Sequence, residues 1–214
     1  MDADAVELRV LGCLLEKQRT TPDQYPLTLN ALRLACNQAT NRDPVVDYDE
    51  ETVRGGVARL RRRGWVRFAS GQGSRSAKYR HLLDEALRLD GAEQAILTVM
   101  LLRGPQTPGE LKGRADRLHH FDALADVERT LERLIEREYA VKFARRPGQK
   151  EDRFGHLLGE GEEPAQQAEP VAPEREDRPR AEPASVADPL EERVARLERE
   201  VAELRARYAA SDTA

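Results

Sequence analysis

Apolar positions along the first 158 residues follow two periods in turn, and the succession occurs twice. Val53, Val57 and Leu60 lie three and four residues apart, the spacing of a helix with one buried face. Trp65 to Ser70 and Ala77 to Leu83 then read as two strands around a Gly71-Gln-Gly-Ser74 turn. At an offset of 74 residues the helix returns as Val127, Leu131 and Leu134, and the strands return as Tyr139 to Arg145 and Arg153 to Leu158 around Pro147-Gly148. Upstream, Leu14-Leu15…Thr21-Pro22 pairs with Leu101-Leu102…Thr107-Pro108, the first copy carrying about a dozen extra residues.

Helix ends are marked locally. In the second copy Ala92 to Leu102 is a helical apolar stretch stopped by Gly104-Pro105. Thr107-Pro-Gly-Glu110 combines a capping box with proline in the first turn and opens a helix to Leu118, and a third runs from Asp122 to Glu138. In the first copy helices are predicted over Asp4 to Lys17 and Leu29 to Cys36. Thr21-Pro-Asp-Gln24 reads as another capping box. Asp47-x-x-Glu50 opens a third helix to Arg63, where Gly64 stops it. Three helices followed by a hairpin is the order of a winged helix. The predicted fold is therefore mainly α with small β-hairpins: two tandem winged-helix (helix-turn-helix) domains over 1–88 and 89–158.

Beyond them the pattern changes. The stretch 159–189 holds half of the prolines, with Val171 and Val186 as its large apolar residues, and reads as a disordered Pro/Glu/Ala linker. In 190–209 Leu190, Leu197 and Leu204 take d positions, and Val194, Val201 and Tyr208 take a positions. Valine at a with leucine at d favours a parallel dimer, in which Arg193 would face Glu198 and Glu200 would face Arg205. A homodimer through this short coiled-coil helix is the expectation. A lone amphipathic helix docking on its own body or on another protein is the alternative.

Charge sharpens the division. Of a net −4, residues 1–88 contribute +3, 89–158 contribute zero and 159–214 contribute −7, so the acidity lies in the tail. Apolar runs fall short of the roughly 18 residues that span a bilayer, and the Met1-Asp2-Ala3-Asp4 start is acidic where a signal peptide is basic. Cys13 and Cys36 are too few for a disulfide framework or a four-ligand zinc site. A cytoplasmic protein without membrane association, cofactor or metal is expected.

From Thr52 to Leu83 there is no acidic residue among nine arginines and lysines. A winged helix meets DNA there, with the third helix in the major groove and the wing against the backbone or the minor groove. With Val53, Val57 and Leu60 inward, Gly55, Ala58, Arg59 and Arg62 face outward, flanked by Arg54, Arg61 and Arg63. The candidate DNA-binding set is Arg54, Arg59, Arg61, Arg62, Arg67, Arg75 and Lys78. In the second copy the outward positions become Arg129, Glu132, Arg133 and Glu136, whose carboxylates repel phosphate. The first copy is thus predicted to contact DNA and the second to pack or bind protein.

Other residues carry weaker signals. Glu16, Lys17, Tyr25, Asn37, Gln38, Asn41 and Arg42 form a candidate ligand or partner cluster, or else caps that shape the long loop before the third helix. His81 and His156 hold equivalent positions at strand ends and read as structural. His119-His120 reads as a surface helix end. A nucleophile–base–orienter set is missing, so catalysis is not expected.

The run Leu14-Leu-Glu-Lys-Gln18, Thr20-Thr-Pro-Asp-Gln-Tyr-Pro26, Asn30, Ala35-Cys-Asn-Gln38, Asn41-Arg42 and Pro44 resembles the YceH family of bacterial proteins. Leu101-Leu102-Arg-Gly-Pro-Gln-Thr-Pro-Gly-Glu-Leu111 and Pro147-Gly148 resemble its second half. The resemblance covers roughly residues 5 to 158, leaving the linker and heptad tail outside it. It implies two tandem winged-helix domains and no particular biochemical activity. DNA binding in gene regulation or chromosome maintenance is the leading expectation, and a protein–protein scaffold without nucleic acid is the alternative.

Overall fold

A computed structural model describes residues 3–69, 76–144 and 151–159. The 159–189 linker, apart from Gly159, the 190–209 heptad, the tips of both hairpins and Arg75 lie outside the described residues. Helix α1 (Ala5–Thr20) leads through a 3₁₀ turn and strand β1 (Leu27–Thr28) to α2 (Leu29–Cys36). A long loop then reaches α3 (Glu50–Arg62), followed by β2 (Val66–Phe68), β3 (Lys78–His81) and the short α4 (Leu83–Leu87). The second succession is α5 (Gly91–Arg103), α6 (Pro108–Ala115), α7 (Leu124–Glu136), β4 (Ala140–Phe143) and β5 (Arg153–His156). The chain is mainly helical with small antiparallel sheets, as the pattern predicts.

Two elements escape that pattern. β1 joins the first hairpin as a third strand, in the order β1-β3-β2, with Leu27 opposite Tyr79 and Phe68 also opposite Tyr79. Two residues are too few to show an alternation. Between the repeats, α4 ends on Arg88 in the left-handed conformation.

Capping explains most boundaries and corrects three readings. Asp4 and Asp90 each accept the backbone N–H three residues on (2.8 Å in both), while Glu7 and Glu93 accept from the cap residue's own N–H. These matched boxes set Asp4 opposite Asp90. Leu14 therefore corresponds to Met100 rather than Leu101. Thr107 and Glu110 form the predicted box at α6. Thr21 does not cap: its hydroxyl donates back to the Lys17 carbonyl, and the next turn is a 3₁₀ turn over Pro22–Gln24. Asp49, not Asp47, caps α3, accepting from Thr52 at 2.8 Å. Asp47 instead accepts from the Asn37 amide.

Both third helices close alike. Trp65 N–H donates to Leu60 and Tyr139 N–H to Leu134, across one residue of positive φ, Gly64 at 76° and Glu138 at 57°. Glycine holds that conformation without steric penalty, whereas glutamate does not.

The described residues fall within one compact unit. Helices α1 and α5 pack on each other and are buried almost all round, from Glu7 to Leu15 and from Glu93 to Leu102. Their approach is close at Gly12, where a Cβ would come within 2.8 Å of Leu102 Cδ2 and 3.2 Å of Leu101 Cβ. Leu101, Leu102 and Leu158 of the second repeat consequently belong to the first repeat's core. Ile96, Leu111, Phe121, Val127, Leu131 and Leu134 anchor the second. Cys13 and Cys36 are buried free thiols.

The equivalent histidines are both interior. His81 Nε2 lies 2.7 Å from Gln18 Oε1, and its backbone N–H donates to the Tyr25 hydroxyl at 2.8 Å. Burial lowers its pKa to about 4, with Arg80 and Arg19 acting in the same sense and Asp84 opposing. Burial alone lowers that of His156 to about 4. Each should be neutral in the folded chain at pH 6, while the unfolded chain takes up protons from about pH 6.5 downward. Stability should therefore fall between pH 6.5 and 4, by an order of magnitude of about 3 kcal/mol per histidine. Urea midpoints across that range should flatten in part in His156→Leu. Glu138→Gly should raise the stability measured by urea unfolding by about 1 kcal/mol.

Candidate nucleic-acid interface

The acid-free stretch of sequence meets acids in space. Arg59 of α3 pairs with Asp4 at 2.8 Å and Glu7 at 3.5 Å, and Arg63 pairs with Glu7 at 2.8 Å. Glu7 is 1% exposed, so this is a buried carboxylate clasped by two arginines and doubling as a cap. The second repeat builds the same clasp: Arg133 pairs with Asp90 at 3.0 Å and Glu93 at 3.5 Å, and Arg137 pairs with Glu93 at 2.9 Å. The second arginine also lies over an aromatic ring in each copy, Arg63 over Trp65 at 5.8 Å and Arg137 over Tyr139 at 4.9 Å.

This clasp turns α3 relative to the sequence expectation. Gly56 is buried, and a Cβ there would meet Val6 Cγ1 of α1 at 2.9 Å. Glycine carries no apolar signal, so the pattern omits it from the buried arc, which reaches round toward Arg59 and Arg63. The double glycine thus has a packing reason at Gly56. The outward face is Arg54, Ala58, Arg61 and Arg62, with Arg59 drawn aside to Asp4 and Glu7 and Gly55 half-buried beside its guanidinium.

Of the candidate set, Arg61, Arg62 and Arg67 are exposed, and Lys78 is half-buried. Arg54 is exposed and pairs with Glu50 one turn back. The Arg61 guanidinium lies 3.7 Å from the ring centroid of Phe68, which is 44% exposed and contacts Tyr79. Helix and hairpin are thereby joined into one surface. An exposed aromatic there escapes a reading that counts only charge. Arg80 is drawn off to Glu85 at 2.9 Å.

The corresponding face of α7 has the opposite sign. Where α3 shows Arg54, Ala58, Arg61 and Arg62, α7 places Glu128, Glu132, Ile135 and Glu136. Leu124 is 43% exposed at the start of that helix. Among the described residues no three His, Cys, Asp or Glu side chains group as metal ligands would, and no helix is long and apolar enough to cross a membrane.

Comparison with known proteins places the chain in a family. Residues 3–149 match the family described as "Protein of unknown function, DUF480". The UPF0502 protein YceH of Salmonella paratyphi B and that of Salmonella agona are each 46% identical over 211 residues, covering 95% of this chain and 93% of the relative. That of Salmonella schwarzengrund is 45% identical over the same shares. The chain belongs to the DUF480 family. A match over 95% of the chain takes in most of the segment after Gly159, so the likeness extends into the linker and heptad tail that the sequence reading leaves outside it.

In this DUF480 chain, much of the first-repeat run that carries the resemblance closes on one buried arginine. Arg42 donates from Nε to the Ala35 carbonyl (3.1 Å) and from Nη1 and Nη2 to the two Glu16 oxygens (3.1 and 2.7 Å). It also donates to the Asn41 carbonyl and the Gln38 amide oxygen. Burial works against charge at Glu16, but the hydrogen bonds and charge of Arg42 hold its carboxyl below the usual range. Asn37 clamps the far side of the loop, accepting from Tyr48 N–H and donating to the Tyr48 carbonyl. Lys17 reaches Gln38 at 3.3 Å. The predicted ligand cluster is thus largely self-satisfied, and Tyr25 stands apart from it at the hairpin, accepting from His81. Its polar residues fold the loop.

Because the clasp recurs, its removal should weigh alike in both repeats. Glu7→Gln and Glu93→Gln should each lower stability in urea unfolding by about 1.5–3 kcal/mol, the range for hydrogen bonds to charged groups. A clearly smaller loss would mean that the arginines are held in place by packing alone.

Proposed function

We propose that this chain is a DNA-binding protein of two tandem winged helices, engaging the duplex through α3 and the hairpin of the first repeat. One comparison within the molecule carries this reading. The two repeats share the first-helix capping boxes, the clasp and the hydrogen bond that closes the third helix, yet their third helices present opposite charge to solvent at equivalent positions. Framework arginines recur in both copies. Arg54, Arg61 and Arg62 do not, and they stand where a recognition helix meets the groove. Arg67 and Lys78 extend the surface onto the hairpin, and Arg75, outside the described residues, belongs to the same set. Arg59 leaves it, since contact with phosphate would compete with its pairs to Asp4 and Glu7. The reading is non-catalytic, with a role in gene regulation or chromosome maintenance in the cytoplasm.

The acidic α7 face, with Ile135 and exposed Leu124, supports a protein contact for the second repeat. In the same proposal the 190–209 heptad dimerises the chain. A linker of about 31 residues spans roughly 30 Å as a flexible coil and would leave half-site spacing loose.

Fluorescence anisotropy of mixed-sequence duplex DNA with the full chain tests the proposal. Affinity should fall about 10³-fold between 50 and 200 mM salt if some six phosphates are neutralised. Arg61→Glu/Arg62→Glu should abolish binding, while Arg129→Glu on α7 should leave it unchanged. No binding at the lower salt would overturn the proposal and give the lead to a scaffold role.

A further inference from the structure

A cleft of about 250 Å³ opens where the repeats meet, walled by the C-terminal half of α1, by α5, and by α6 with the turn after it. Arg103, Arg114 and Arg117 line it against a single carboxylate, Glu16. That carboxylate brings little free charge, because Arg42 occupies both of its oxygens. Glu110, one turn before Arg114, divides itself between Arg114 at 3.4 Å, Arg153 at 3.2 Å and the α6 cap. The balance on the cleft wall is positive. The crowding is felt at Arg103, whose pKa is lowered first by burial and then by the charge of Arg114.

Gly113 supplies an independent observation. It lies in α6, where glycine costs about 1 kcal/mol of helix stability relative to alanine. Unlike Gly12 and Gly56 it has no packing reason, since a Cβ there would meet nothing within 4 Å. It lines this cleft, so what its missing side chain leaves is open space beside three arginines. Val99 and Leu118 give the same wall an apolar part.

We propose that the cleft binds a compact organic anion, a carboxylate or a phosphate monoester, with its charged head among Arg103, Arg114 and Arg117 and its carbon body on Val99 and Leu118. The arginine forks suit either oxyanion. The volume sets the size: ligand pockets commonly run from about 300 Å³ upward, so a ligand near one aromatic ring in bulk is the fit. This site is separate from the α3 surface, and it stands or falls independently of nucleic-acid binding.

Isothermal titration calorimetry of the full chain with benzoate, phenyl phosphate and the neutral benzamide tests it. At least one anion should bind with a Kd of about 1 mM or tighter, and benzamide at least tenfold more weakly. Whether benzoate or phenyl phosphate binds better assigns the head group. Arg117→Gln, a change at an exposed position, should weaken binding about tenfold, and Gly113→Leu should abolish it. Gly113→Ala should raise the melting temperature of the free protein while weakening the anion. Absence of binding tighter than about 10 mM would overturn the proposal. So would anion binding that Arg117→Gln and Gly113→Leu leave intact, because the anion would then sit elsewhere, the α3 face included.

Discussion

A carboxylate buried at the start of one helix and held by two arginines from another is the constraint on which each repeat turns. Glu7 and Glu93 satisfy their own helix caps and leave oxygens that only a cation can balance away from water. The third helix supplies that cation twice, at Arg59 and Arg63 and again at Arg133 and Arg137. With those arginines committed, the rotation of the helix about its axis is settled, and with it the residues that solvent sees. The surface chemistry of the chain is therefore a by-product of an interior ionic requirement.

The division between framework and surface follows from comparing the copies. Residues that serve the clasp and the first-helix caps are alike in both, whereas the outward positions of α3 and α7 differ in sign. Electrostatic self-repulsion would follow if both faces were basic, and opposite faces let one chain present two kinds of surface. The stacking of Arg61 on Phe68 holds part of the basic side in place, so that a guanidinium beside the hairpin loses less freedom on contact than a free one would.

Much of the architecture was legible because it rests on local signals that repeat. The α2 bounds, the Thr107 box and the Gly64 stop follow from cap chemistry and period alone. The two-residue β1 was not legible, since its reason for being a strand is its partner Tyr79. The outward face of α3 was misjudged by part of a turn because the residue that extends the buried arc is a glycine. Arg59 could have been recognised as framework: its counterpart Arg133 is also arginine, and each first helix begins Asp-x-x-Glu. The Arg42 network was half visible, its residue types announcing polar work in the loop without saying that one guanidinium consumes most of it. The cleft of Arg103, Arg114 and Arg117 gave no signal, being assembled from three elements whose meeting is purely tertiary.

The contact at Gly12 has a mechanical meaning. Helix α1 touches α5 there through a gap that admits a hydrogen and not a methyl group. Each helix carries its own repeat on its other side, so the separation of α1 and α5 at this spot helps set how the basic and acidic faces are placed relative to each other. The direction in which the two surfaces point is then written into the absence of one carbon atom.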